Sequence, residues 1–186
     1  MILPGILASG ITGNLSTNNF TSIATATVDS SGASSITFSS IPSTYTHLQV
    51  RYISHDSRTG VNYESPVKWQ FNNDTASNYS FHQIYGYNGT VYAYSNPNVS
   101  SIWTEGAENT NGSAVYGGGV LDILDYTNTS KTKTTRFIGG NDVNGYGLMG
   151  FYSGAWYSTN AINSITITPF TSPFLQYTTF ALYGVK

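Results

Sequence analysis

Leu48-Gln49-Val50-Arg51-Tyr52 alternates apolar and polar side chains one for one, and Val67-Lys68-Trp69-Gln70-Phe71 does the same. Successive side chains of an extended strand point to opposite faces, so a period of two puts Leu48, Val50 and Tyr52 inside and Gln49 and Arg51 outside. Both stretches read as half-buried strands, and Phe180 with Leu182 follows the same rule. Working outward, further strands are expected over 22–28, 35–38, 79–85, 91–94, 120–124, 134–138, 147–152 and 163–168. That makes about eleven short strands divided by turn-rich spacers, the pattern of a sandwich or barrel.

The spacers carry the turn chemistry such a fold needs. Asp29-Ser30-Ser31-Gly32, Asn88-Gly89 and Asn144-Gly145 supply residues that tolerate positive φ. Asn88-Gly89, set between Tyr85-Gly86-Tyr87 and Thr90-Val91-Tyr92, is the clearest hairpin. No window shows helical spacing with caps, and Gly, Thr and Asn are too frequent for a long helix. At most one helical turn is expected, near residues 160–162.

Composition narrows the function. Charged residues make up 9% of the chain and the formal net charge is -2. So sparse a cationic content gives no footprint for a phosphate backbone or an anionic membrane, and neither nucleic acid nor membrane is expected as a partner. Cysteine is absent, which removes disulfides, thiolate metal sites and thiol nucleophiles. An aromatic content of 15%, mostly Tyr, argues for a packed core despite the Ser, Thr and Asn bias. Residues 1–20 stand apart, apolar at first and then polar without alternation; they read as an arm outside a sandwich over 21–186. Their start lacks a cationic segment, and Pro4 and Gly5 break the apolar run, so no export signal is read.

Candidate chemistry is thin. Asp122 and Asp125 fall on opposite faces of a strand and cannot jointly flank a bond without a bulge, so they read as polar-face or strand-end residues. Glu105 and Glu108 read as part of a solvated loop over 104–109. His47, His55 and His82 match no compact metal-ligand spacing. Asn72, Asp74 and Asn78 collect side-chain oxygens in a weak calcium candidate, where Asx-turn chemistry is the stronger reading. Tyr85, Tyr87, Tyr92, Tyr94 and Trp103 could stack on sugar rings or anchor a protein interface, against ordinary strand packing with hydroxyls reaching solvent. No cofactor and no catalytic residue is assigned.

With the strands in place, Ser35-Ile36-Thr37-Phe38-Ser39-Ser40-Ile41-Pro42 with His47-Leu48-Gln49-Val50-Arg51 resembles the opening of a family of small structural proteins of tailed bacteriophages. Phe71-Asn72-Asn73-Asp74 with Asn78-Tyr79, Ile123-Leu124-Asp125-Tyr126, Ser153-Gly154-Ala155-Trp156 and the closing Ala181-Leu182-Tyr183-Gly184-Val185 come in the family's order. Where that family often has Asn-Gly-Asp, this chain has Asn72-Asn73-Asp74. The resemblance implies a jelly-roll-like antiparallel β-sandwich on the virion surface, made in the host cytoplasm. It implies a non-enzymatic capsid decoration (cement) protein, or alternatively a tail-fibre or receptor-binding module that recognises host glycans through its Tyr/Trp-rich loops. The partners it implies are a major capsid or tail protein and further copies of the chain, as a trimer or dimer. The arm would then dock through Ile2, Leu3, Ile6 and Leu7.

Overall fold

The computed structural model describes residues 19–58, 65–108, 115–143 and 146–186. Thirteen strands and no helix are found among them. They are β1 (Phe20–Thr27), β2 (Ile36–Phe38), β3 (His47–Asp56), β4 (Pro66–Phe71), β5 (Tyr79–Tyr87), β6 (Thr90–Val99), β7 (Ile102–Glu105), β8 (Ala107–Glu108), β9 (Gly117–Leu124), β10 (Lys133–Val143), β11 (Tyr146–Trp156), β12 (Ile165–Pro169) and β13 (Thr179–Val185). The expected arm residues Ile2, Leu3, Ile6 and Leu7 and the turn Asn144-Gly145 lie outside the described residues. Phe20, the last residue assigned to the arm, pairs with Val185 as the first residue of β1.

The strands form two layers, an antiparallel β-sandwich. One sheet runs β1-β13-β3-β9-β10-β11-β5-β6, with the short β8 added in parallel beside β3; the other runs β2-β12-β4-β7. Alternation decides which side faces in. Leu48, Val50 and Tyr52 of β3 meet Val67, Trp69 and Phe71 of β4 across the gap, joined by Leu121, Ile123, Ile165, Ile167, Phe180 and Leu182 in one buried cluster. Rings interlock there, with Tyr52 stacked on Phe180 at 5.1 Å and Trp69 edge-on to Phe180 at 5.9 Å. Each fully buried large side chain of this kind contributes about 1.5–3 kcal/mol relative to exposure.

All eleven expected strands are present, and the two that were not expected, β7 and β8, correct the solvated loop read over residues 104–109 as far as Glu108; residue 109 lies outside the described residues. Ile102 and Trp103 pull that stretch into the ladder, pairing with Trp69 and Lys68 of β4. Thr104 and Glu105 are consequently buried. The Thr104 hydroxyl accepts the Trp69 indole N–H at 2.8 Å and shares a hydrogen bond with the Tyr52 hydroxyl at 2.8 Å. The Tyr52 hydroxyl also donates to the Glu105 carbonyl, and the Tyr152 hydroxyl donates to the Glu105 carboxylate at 2.7 Å. Burial, ahead of any charge effect, pushes the Tyr52 hydroxyl well above the usual tyrosine range. β7 comes this close to β11 because position 154 carries no side chain: a Cβ on Gly154 would lie 2.6 Å from Thr135 Oγ1 and 2.8 Å from Ile102 Cγ2.

The expected helical turn at residues 160–162 is also corrected, since the segment is a bend followed by irregular chain. Ile162 is buried and its N–H bonds the Tyr126 carbonyl at 2.9 Å. The N–H groups of Asn163 and Ser164 go to Asn72 Oδ1, at 2.9 and 3.2 Å, which delays the start of β12 to Ile165. Nearby, the buried Lys133 ammonium donates to the carbonyls of Asn128, Lys131 and Thr159 at 2.6, 3.0 and 3.1 Å, pinning the turn after β9 to the irregular segment after β11. In the turn after β4, Asn72 and Asn73 take positive φ, and Asp74 caps the loop that leads into β5. Its carboxylate accepts the Asn78 amide at 3.0 Å, the Trp156 indole N–H at 2.8 Å and the Ala76 N–H at 3.0 Å.

Two outcomes test these contacts. Gly154→Ala should destabilise by about 1–3 kcal/mol through overpacking against Ile102, lowering Tm by about 2–4 °C per kcal/mol; an unchanged melting curve would contradict the close approach. The Asp74 carboxyl is held below the usual range, first by the Asn78 amide and further by Trp156 and Ala76. A depressed folded pKa stabilises above the unfolded value, and that stability is lost as pH falls through the folded one. Asp74→Asn should therefore cost about 1–2 kcal/mol at pH 7, a gap that narrows as pH falls below the ordinary carboxylate range and Asp74 takes up its proton. Melting curves of the two proteins from pH 7 to pH 2 check this, and a gap that stays as wide at the acid end would refute it.

Candidate functional site

The side chains that alternate with the core on the large sheet point away from the small one, and the strand register lines them up. Val120 of β9, Ile138 of β10, Phe151 of β11, Ile84 of β5 and Ala93 of β6 are successive cross-strand neighbours in a single row. The row below it reads Gly140, Met149, Gly86 and Val91. Ile138, Phe151, Ile84, Met149 and Val91 are 45 to 69% exposed. An apolar band crossing five strands is unusual for a surface, since contiguous patches on monomers rarely exceed a few hundred Å² and larger ones mark contacts. A trough of about 680 Å³ lies along it, with Ile84, Ala93 and Phe151 as apolar lining and Arg136, His82, Ser95 and Ser153 as polar lining. A second hollow of about 270 Å³ continues between Ile84, Val91, Met149 and Phe151.

Polar residues border the band. Asp122 accepts from Arg136 at 3.0 Å and from the Gln49 amide at 2.8 Å, and Gln49 in turn accepts from Arg51 at 2.7 Å. These few charges of the outer face are thus tied to one another across β3, β9 and β10.

The opposite face of the β5–β6 hairpin carries the aromatic residues that the sequence singled out. Phe81 anchors it in the core, and Tyr85, Tyr92 and Tyr94 continue from it on the same face, beyond the edge strand β7 of the small sheet. Tyr85 stacks on Tyr92 at 5.3 Å, Tyr94 lies 6.4 Å from Phe81, and Trp103 stacks on Phe81 at 5.4 Å. Four of the five aromatics are therefore one ledge, with Tyr87 at its tip beside the hairpin turn. Trp103 is partly buried against the core, and its indole N–H is held by Ser101 at 3.1 Å.

The other candidates separate. Asp125, at φ 47° in the turn after β9, pairs with Lys131, and its backbone N–H bonds His47 Nδ1 at 2.9 Å. The Lys131 ammonium is the main cause holding the Asp125 carboxyl below the usual range. His47 and His55 sit at opposite ends of β3, and His82 lies on the outer face of β5. His55 is buried edge-on to Tyr116 at 5.1 Å, and burial lowers its pKa. Both oxygens of Asp74 face N–H donors, and its bond from the Ala76 N–H is the expected Asx turn; Asn78 instead gives its amide to Asp74, and Asn72 spends its side chain on the distant backbone of Ala161, Asn163 and Ser164. Among the described residues no three His, Asp or Glu side chains gather as a metal site.

The outer apolar band is not among the expectations drawn from the sequence, although a signal for it exists. In Gly147-Leu148-Met149-Gly150-Phe151-Tyr152, apolar residues occupy both parities of the strand, so both of its faces are apolar. Compared with known proteins, the chain matches no protein-family model, no curated protein and no solved structure.

Proposed function

We propose that this chain is a structural component of a tailed-phage particle, a head decoration protein held to the particle by the outer face of its large sheet together with its N-terminal arm. The supporting observation is the exposed apolar band through Ile138, Phe151 and Ile84, a face whose burial against a partner would yield about 25 cal/mol per Å² of apolar area. The carboxylates fit a non-catalytic role: Asp122, Asp125, Asp74 and Glu105 each serve a structural hydrogen bond or ion pair. The low charge content suits display in many copies, because neighbouring copies repel one another little.

A second reading, a receptor-binding module for host glycans, rests on the Tyr85–Tyr92 stack and Tyr94, with the Gln83 amide opposite Tyr94 in the register. Stacked rings beside an amide are suited to the apolar face and hydroxyls of a sugar.

Attachment is tested by adding purified protein to particles stripped of it and measuring how much sediments with them. The double variant Ile138→Asp, Phe151→Asp and the deletion of residues 1–7 should each keep a strand-type far-ultraviolet spectrum and weaken attachment at least about tenfold, roughly 1.4 kcal/mol. Undiminished attachment of both variants would refute the decoration reading. The glycan reading expects intrinsic fluorescence to titrate with bacterial surface oligosaccharides and Tyr92→Ala to abolish that response; a flat titration of the parent protein would remove it.

A further inference from the structure

Every open sheet leaves edge strands with unpaired N–H and C=O groups, and proteins usually blunt them. Three edges of this sandwich are blunted. β2 has three residues, β7 has four, and β1 is broken by a bulge between Ser22 and Ala24. The fourth edge, β6, has ten residues, none of them charged, and its register against β5 is unbroken over residues 90–96. It is exposed along nearly its whole length on both faces. Pro97, which cannot donate, stands just past this stretch.

The phase of the ladder says which groups are free. Asn88 and Gly89, at φ 46° and 76°, make a two-residue type I′ turn closed by the pair Tyr87 and Thr90. Hydrogen-bonded and non-bonded pairs then alternate, so Thr90, Tyr92 and Tyr94 turn their backbone groups to β5, and Val91, Ala93 and Ser95 turn theirs to the open edge.

We propose that β6 pairs antiparallel with β6 of a second copy about a two-fold axis at Ala93, joining the two large sheets into one. The sequence is self-complementary in that register. Ala93 faces Ala93 and Val91 faces Ser95 as hydrogen-bonded pairs, while Tyr92 faces Tyr94 twice as non-bonded pairs, whose side chains stand closest. Each Tyr92 thereby extends the stack it already makes with Tyr85. Residues 90–96 are centred on Ala93, so this register uses the whole stretch between the turn and Pro97. No like charges meet, and antiparallel pairing of identical strands closes after two copies, so growth stops there. The outer apolar row through Ile138, Phe151 and Ile84, which ends at Ala93 in each copy, becomes continuous across the axis. The proposal stands independently of what that face binds.

Sedimentation equilibrium and light scattering of the whole chain test it. The parent protein should have a mass of about 40 kDa at micromolar concentration, twice the 20.1 kDa of one chain. Ala93→Asp and Ala93→Lys, each placing like charges face to face at the axis, should be folded monomers. Mixing the two variants should restore the double mass, because only this register sets position 93 of one copy against position 93 of the other. A monomeric parent protein, variants that keep the parent mass, or a mixture that stays monomeric would each overturn the proposal.

Discussion

A layer of four strands laid on a layer of nine leaves the far strands of the larger sheet without a cover, and most of the distinctive features of this molecule stem from that mismatch. Beneath the small sheet, β3, β13 and β9 behave as ordinary sandwich strands, with Leu48, Val50, Leu121, Ile123 and Leu182 fully buried. Past the edge of β7 the same alternation continues with no strand among the described residues opposite it. The inner face of β5 passes from buried Phe81 to Tyr85, and β6 is left to solvent on both sides. Tyrosine suits that transition, since its ring packs and its hydroxyl tolerates water.

The mismatch also explains the buried polar atoms between the sheets. β7 is the last strand able to lie over β10 and β11, and its end carries Thr104 and Glu105 inward. They survive there because Trp69, Tyr52 and Tyr152 supply hydroxyl and indole partners. A buried carboxylate lacking such donors would cost several kcal/mol. Lys133 resolves a similar problem at the other end of the molecule, bonding three carbonyls that the turn and the segment after β11 leave over.

The legibility of the chain obeys the same division. Strands whose period of two reports burial on one face only, such as β3, β4 and β13, stand out in the sequence, as does the turn at Asn88-Gly89. β7 escapes a local reading because its polar residues face inward, so Thr104 and Glu105 imitate a loop until Trp69 and Tyr152 are placed around them. The irregular stretch through Ile162 and Asn163 escapes it because its partners, Tyr126 and Asn72, are remote in the chain. The aromatic ledge is legible in its members and not in its geometry: Trp103 joins through Phe81, a contact that only the pairing of the strands creates. The outer band needs the register of five strands at once, which no local window contains.

One consequence of the tied-up charges concerns salt. On the outer face Arg51, Gln49, Asp122 and Arg136 are bonded in a chain, and Lys131 is spent on Asp125. Little long-range field remains for dissolved ions to screen, and contacts made by the hydrocarbon of Phe151 and Ile138 carry no Debye dependence. Concentrated brine, which loosens assemblies held by opposite charges, would leave adhesion by this surface intact, and strongly excluded anions such as sulfate would tighten it.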